Sequence, residues 1–196
     1  MRMVKNKRQK ILDAATATFS EYGYKGTTMD KVAAAAHIGK GTIYTAFKNK
    51  EELFNAILQN IIEDMAYICH QYIDPAKGVK ENINNVLYEL LTYRKKHQFL
   101  QKLSEEVTWS GTIHAHNALK RVEKAIVEYL KQLLIHAHTQ RKIYLSTPEI
   151  TAFLLYKQYM TLVVEFEKDY YSLSKEEIIH IFNNHILFSL IHNKEI

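Results

Sequence analysis

Proline and glycine are scarce: two prolines and six glycines in 196 residues. These residues cost a helix most, so their scarcity predicts long helices with few interruptions. A single cysteine, Cys69, excludes an intramolecular disulfide and fits a reducing, cytoplasmic setting. No run approaches the roughly 18 unbroken apolar residues of a membrane span, so no membrane partner is expected. No basic-then-apolar leader opens the sequence, and no secretory signal is expected. Strand-like alternation, internal repeats and low-complexity tracts are also missing. With 47% hydrophobic and 24% charged residues, the chain is expected to fold rather than remain disordered. The expected fold class is all-α, in one or two compact units.

Charge is placed unevenly. Residues 1–54 hold ten Lys/Arg and five Asp/Glu, a net of +5, whereas residues 55–196 hold sixteen of each. A basic head on a neutral body suggests a polyanion partner for the head, although a solvated tail with no partner fits the charge equally well.

Apolar spacing divides the head into short helices. Ile11, Ala15 and Phe19 recur every four residues and predict a helix over 6–22, closed by Gly23 and Gly26. Thr28 suits an N-cap for a helix over 29–36, with Asp30 in its first turn. A turn at 37–40, assigned to Gly39, leads to a short helix over 41–47. Asn49 and Glu52 resemble a capping box for a helix reaching residue 72, before Asp74-Pro75. Further helices are expected over 77–96, 98–109, to about 138, over 149–169 behind Thr147-Pro148, and to about 192 behind the Ser174/Glu177 capping box.

The second and third helices have the make-up of a helix-turn-helix. Val32, Ala33 and Ala36 form a small apolar face for close packing, and Ile43 and Phe47, four apart, form a buried face on the third helix. Lys40, Thr42 and Thr45 are left facing a groove. Lys48 and Lys50 begin the next helix, where an ammonium can meet phosphate. Lys5, Lys7, Arg8 and Lys10 lie near the first helix and suit neighbouring phosphates, or a solvated tail.

The run Gly23-x-x-Gly26-Thr27-Thr28-Met29, then Val32-Ala33-x-x-Ala36, then Ile38-Gly39-Lys40-Gly41-Thr42-Ile43-Tyr44-x-x-Phe47-x-x-Lys50-Glu51-Glu52-Leu53, resembles the DNA-binding head of the TetR family of transcriptional repressors. The resemblance covers about residues 8–54. It implies phosphate contacts for Thr28, Tyr44 and Lys50, and base approach for Lys40, Gly41, Thr42 and Thr45. One position departs from the family: Ala46 stands where His or Tyr often touches the backbone, which leaves more anchoring to Lys48 and Lys50. The resulting expectation is a DNA-binding head over 1–50 and an effector-binding, dimerising body over 51–196.

Residues 178–193 carry no Asp, Glu, Lys or Arg, and the helix before them is apolar on two sides. A helix apolar all round must be buried on more than one side, so these two helices are expected to meet symmetry mates through Phe153, Met160, Phe182, Ile186 and Leu190. Burial within one chain is the alternative. Tyr88, Tyr93, Phe99, Trp109, Tyr156 and Tyr159 mix apolar bodies with polar tips and are candidates for an effector pocket, Trp109 foremost. Each of these rings can equally be core. No charged ligand clamp stands out, which favours a lipophilic or aromatic effector.

His114/His116 and His136/His138 are spaced by two and face different sides of a helix, and Glu177/His180 lacks a second Glu-x-x-His motif. Neither a Gly-rich phosphate loop nor a nucleophile elbow is present. No metal, cofactor or enzymatic activity is therefore expected. A helical metal or redox enzyme, or a carrier of an apolar small molecule, remains as an alternative to a dimeric repressor that binds double-stranded DNA.

Overall fold

The computed structural model describes the backbone of residues 2–92 and 94–187, and the side chains of 7–92, 98–109 and 111–185. The regular secondary structure of the described residues is all helical, with no strand. The helices are α1 (Arg2–Gly26), α2 (Met29–Ala35), α3 (Lys40–Ala46), α4 (Lys50–Tyr72), α5 (Val79–Leu90), α6 (Arg94–Ser110), α7 (Ile113–Thr139), α8 (Pro148–Met160), α9 (Glu167–Asp169) and α10 (Lys175–Ile181). π-helical stretches follow α8 at Thr161–Phe166 and α10 at Phe182–Leu187. No described helix is long and apolar enough to cross a membrane.

Two compact units result, Met1–Ile62 with Arg94–Val122, and Glu63–Tyr93 with Glu123–Ile196. The boundary expected at 50/51 therefore falls inside the first unit, because α6 and the start of α7 join the head. α1 packs against α6, α1 against α2, and α2 against α3. The core of this unit is aromatic. Phe19, Phe54 and Phe99 are buried, with ring centroids 5.2 Å (Phe19–Phe54), 6.4 Å (Phe19–Phe99) and 5.8 Å (Phe54–Phe99) apart. Ile11, Val32, Ile43, Leu53 and Leu103 fill the space around them. Burial of each such side chain stabilises the unit by about 1.5–3 kcal/mol.

The second unit buries Leu87, Leu91, Val163, Leu173, Ile178 and Phe182 in one cluster, and Leu134, Ile143, Leu145 and Ala152 in another. The Asn82 amide clamps the end of α4. Its oxygen accepts from the Asp74 N–H, and its nitrogen donates to the Asp74 carbonyl, both at 2.9 Å. Ser174 and Glu177 form the expected capping box of α10. Thr147 makes no side-chain cap despite its place before Pro148. Cys69 is buried, and burial pushes its thiol up to about 11, so it is not a reactive nucleophile.

Candidate nucleic-acid interface

α2 starts cleanly because Thr28 has extended backbone and its Oγ1 accepts from the Lys31 N–H at 3.2 Å. It stops at a Schellman turn. His37 takes the left-handed conformation (φ 53), its N–H donates to the Ala34 carbonyl at 3.1 Å, and the Ile38 N–H donates to the Ala33 carbonyl at 3.0 Å. The turn assigned to Gly39 is thus made by His37. Gly39 is ordinary extended backbone (φ −69, ψ 150) that caps α3.

α3 divides its sides sharply. Ile43 and Phe47 are 0% and 1% exposed, while Lys40, Gly41, Thr42, Tyr44 and Thr45 are all exposed. The Lys40 ammonium lies 2.9 Å from the Asp30 carboxylate, which raises its pKa as hydrogen-bond acceptor and as neighbouring charge. This pair ties α3 to α2 in full contact with water, where its contribution is small and screened. Thr45 Oγ1 donates to the Gly41 carbonyl at 2.8 Å. The Arg8 guanidinium rests 4.6 Å from the centroid of the Phe47 ring, so Arg8 braces the end of α3 from α1. Lys7 and Lys10 are exposed on α1, and the Lys5 side chain lies outside the described residues.

The two lysines before and at the start of α4 have different roles. Lys48 is exposed. Its backbone N–H donates to the Glu52 carboxylate at 2.8 Å, and Asn49 Oδ1 accepts from the Glu52 N–H at 2.8 Å. Lys50, expected at a phosphate, is engaged within the protein. Its Nζ donates to the carbonyls of Tyr24 at 2.8 Å and Thr27 at 3.1 Å, and sits 4.4 Å over the Tyr24 ring. Burial lowers its pKa, opposed by the Glu106 charge. Glu106 on α6 accepts from the backbone N–H groups of Tyr24 and Lys25. Sequence reasoning missed this residue, since nothing local marks a carboxylate that acts 82 positions away.

The body residues also separate. Phe99 belongs to the aromatic core of the first unit rather than to a pocket. Trp109, at the end of α6, is 81% exposed. Tyr88 is 46% exposed under the Lys175 ammonium, 4.4 Å from its ring. Tyr156 is buried and Tyr159 half-buried, and burial raises both phenol pKa values. Tyr93 and Leu190 lie outside the described residues, as does the side chain of Ile186. Phe182, expected at a dimer face, is buried within its own unit against Leu87 and Val163. Phe153 is exposed on α8, beside Leu154 and Ile150, and Met160 is half-buried. Among the described residues no three of His, Cys, Asp and Glu gather to hold a metal ion.

Residues 11–57 match the family described as bacterial regulatory proteins, tetR family. Over 188 residues the chain is 36% identical to the uncharacterized HTH-type transcriptional regulator YhgD of Bacillus subtilis (strain 168), covering 96% of this chain and 98% of that one. Among solved structures, the SmeT–triclosan complex is similar with a TM-score of 0.77 at 18% identity, over 96% of this chain and 93% of that one. GusR of Salmonella enterica is similar with a TM-score of 0.76 at 17% identity, over 94% and 95%. The helix-turn-helix at α2 and α3 and this full-length likeness place the chain in the TetR family of bacterial transcriptional regulators.

Proposed function

We propose that the protein is a cytoplasmic repressor that binds a palindromic operator as a homodimer and is released by a small lipophilic or aromatic effector. The observation that carries this reading is the split of α3. Ile43 and Phe47 anchor it, and Lys40, Gly41, Thr42, Tyr44 and Thr45 stand free of the core on one short helix. A Cβ added at Gly41 would meet nothing within 4 Å, so the chain's own packing does not demand glycine there. The bare backbone there leaves room for close approach of a base edge or phosphate. Two such helices related by a twofold axis read half-sites about 34–36 Å apart, or a multiple of that.

The exposed apolar face of α8, with Ile150, Phe153 and Leu154, supports self-association. For the effector, Tyr156 and Tyr159 remain as candidate contacts. The amide oxygens of Asn84 and Asn183 add a polar element, because both are shut from water without a hydrogen-bond partner. Such groups are rare and suit a ligand with hydrogen-bond donors. SmeT has been solved with triclosan, and the shared fold favours an aromatic effector for this chain too. The effector must bind the DNA-incompetent form more tightly, since equal affinity for both forms shifts nothing.

Footprinting on DNA around the protein's own coding region tests the reading, with a protected palindrome as the expected result. Absence of any sequence preference at low salt would overturn it. The two lysines supply a sharper check by salt titration. Lys48→Ala is expected to flatten the slope of log K against log salt by about 0.9, one phosphate's worth. Lys50→Ala is expected to weaken binding with the slope unchanged, because its ammonium serves the Tyr24 and Thr27 carbonyls. A slope change for Lys50→Ala equal to that of Lys48→Ala would return Lys50 to the phosphates.

A further inference from the structure

The link between α1 and α2 governs where the recognition helix points, and side chains from two other helices hold it. α1 kinks at Gly23, whose φ of 69 and ψ of −176 disfavour any side chain. The next two amides both face Glu106. Tyr24 N–H donates to Oε2, and Lys25 N–H donates to Oε1 at 3.2 Å. A Cβ at Gly23 would stand 2.5 Å from Oε2, so the carboxylate occupies the space that glycine leaves.

The carbonyl side of the same link is held by cation and hydroxyl. Lys50 Nζ takes the carbonyls of Tyr24 and Thr27. Thr27, wholly buried, donates from Oγ1 to the Gly23 carbonyl at 2.7 Å. The Tyr24 ring is fixed edge-on to Phe54 (centroids 4.8 Å apart) and stacked on His114 of α7, also at 4.8 Å. Thus an anion from α6 takes the N–H groups of the link, and a cation from α4 takes its C=O groups. Charge-assisted hydrogen bonds of this kind are roughly twice as strong as neutral ones. α2 begins at Met29, just beyond the link, and the Schellman turn at His37 carries its direction into α3.

We propose that Glu106 is a positioning residue for DNA recognition: by holding the Tyr24 and Lys25 amides it sets the angle at which α2 and α3 leave α1, and so sets operator specificity without touching DNA. The inference rests on the reading that α3 enters the major groove. A carboxylate is required because it offers an acceptor oxygen to each amide. Glutamine offers one oxygen and turns an NH2 group toward the other N–H.

The test uses the full-length dimer and the duplex that the wild-type protein selects from a random pool, with a scrambled duplex as reference. Glu106→Gln is expected to lower the ratio of operator to scrambled affinity about tenfold, the scale of one charged hydrogen bond. Its salt slope should match wild type, since no phosphate contact is lost. Loss of an anion alone would raise affinity for both duplexes alike, so a lower ratio is not simple electrostatics. An unchanged ratio would overturn the proposal, even if the melting temperature falls. Amide hydrogen exchange in the wild-type protein keeps the question open to refutation if the variant does not fold. Tyr24 and Lys25 N–H groups are expected to be strongly protected, and exchange at the rate of an open turn would also overturn the proposal. A wild-type protein that selects no duplex defeats the α3 reading instead, while the exchange measurement still judges the Glu106 contact.

Discussion

Leu154→Glu is expected to convert the protein from a dimer to a monomer and to cut operator affinity by about a thousandfold, the low end of the gap between specific and non-specific binding. Leu154 is 50% exposed, beside Phe153 at 39% and Ile150 at 57%, on the outward side of α8. A charge there sits in water in the isolated protomer and leaves its fold intact. In a twofold interface the same glutamate is desolvated and meets the self-complementary patch that carries its own copy, so association is penalised twice. A monomer presents one recognition helix and reads half of a palindrome. Light scattering should report the protomer mass of 22.9 kDa in place of about twice that value. Retention of dimer mass with full operator affinity would remove this side of α8 from the interface.

Phe19→Ala is expected to destabilise the head by about 3–5 kcal/mol, through lost transfer energy plus the cavity left behind. Phe19 is 0% exposed and touches rings on three sides: Phe54, Phe99 and Tyr24, the last at a centroid distance of 6.1 Å. Those neighbours come from α4, α6 and the link into α2, so no single helix can move in to close the void. At about 2–4 °C per kcal/mol for a chain of this size, the melting temperature should drop by roughly 6–20 °C. Urea unfolding read by circular dichroism gives the same quantity independently of DNA. A loss under about 1 kcal/mol would mean that this aromatic cluster is not the keystone of the unit.

Local signals were legible. The Ser174/Glu177 capping box, the Thr28 N-cap and the buried Ile43/Phe47 pair on α3 all follow from spacings of three or four residues, which neighbouring turns of one helix satisfy by themselves. The same logic failed where several residues qualified for one role. His37, not Gly39, adopts the left-handed turn. The reason is position: the residue just past the helix end must close the Schellman bonds, and histidine tolerates that conformation well enough.

Residues that act at long range escaped the sequence. Lys50 sits where a phosphate anchor belongs by motif, yet its flexible stem turns inward to two orphan carbonyls of the α1–α2 link. Phe99 and Trp109 share one helix and one composition argument. The first is sealed in the head, and the second stands in water. Aromatic content does not distinguish them, because only the packing of α6 against α1 decides which side of α6 is covered.

Helical content, the order of the elements and the side of α3 left exposed were set by the sequence alone, because backbone propensity, capping and 3.6-residue periodicity act within a few residues. The tertiary structure alone decided that α6 belongs to the head, that Phe182 is spent inside its own unit, and that Glu106 and Lys50 hold the link between α1 and α2. Those outcomes depend on pairings across tens of residues, where many partners are chemically equivalent and only three-dimensional packing selects one.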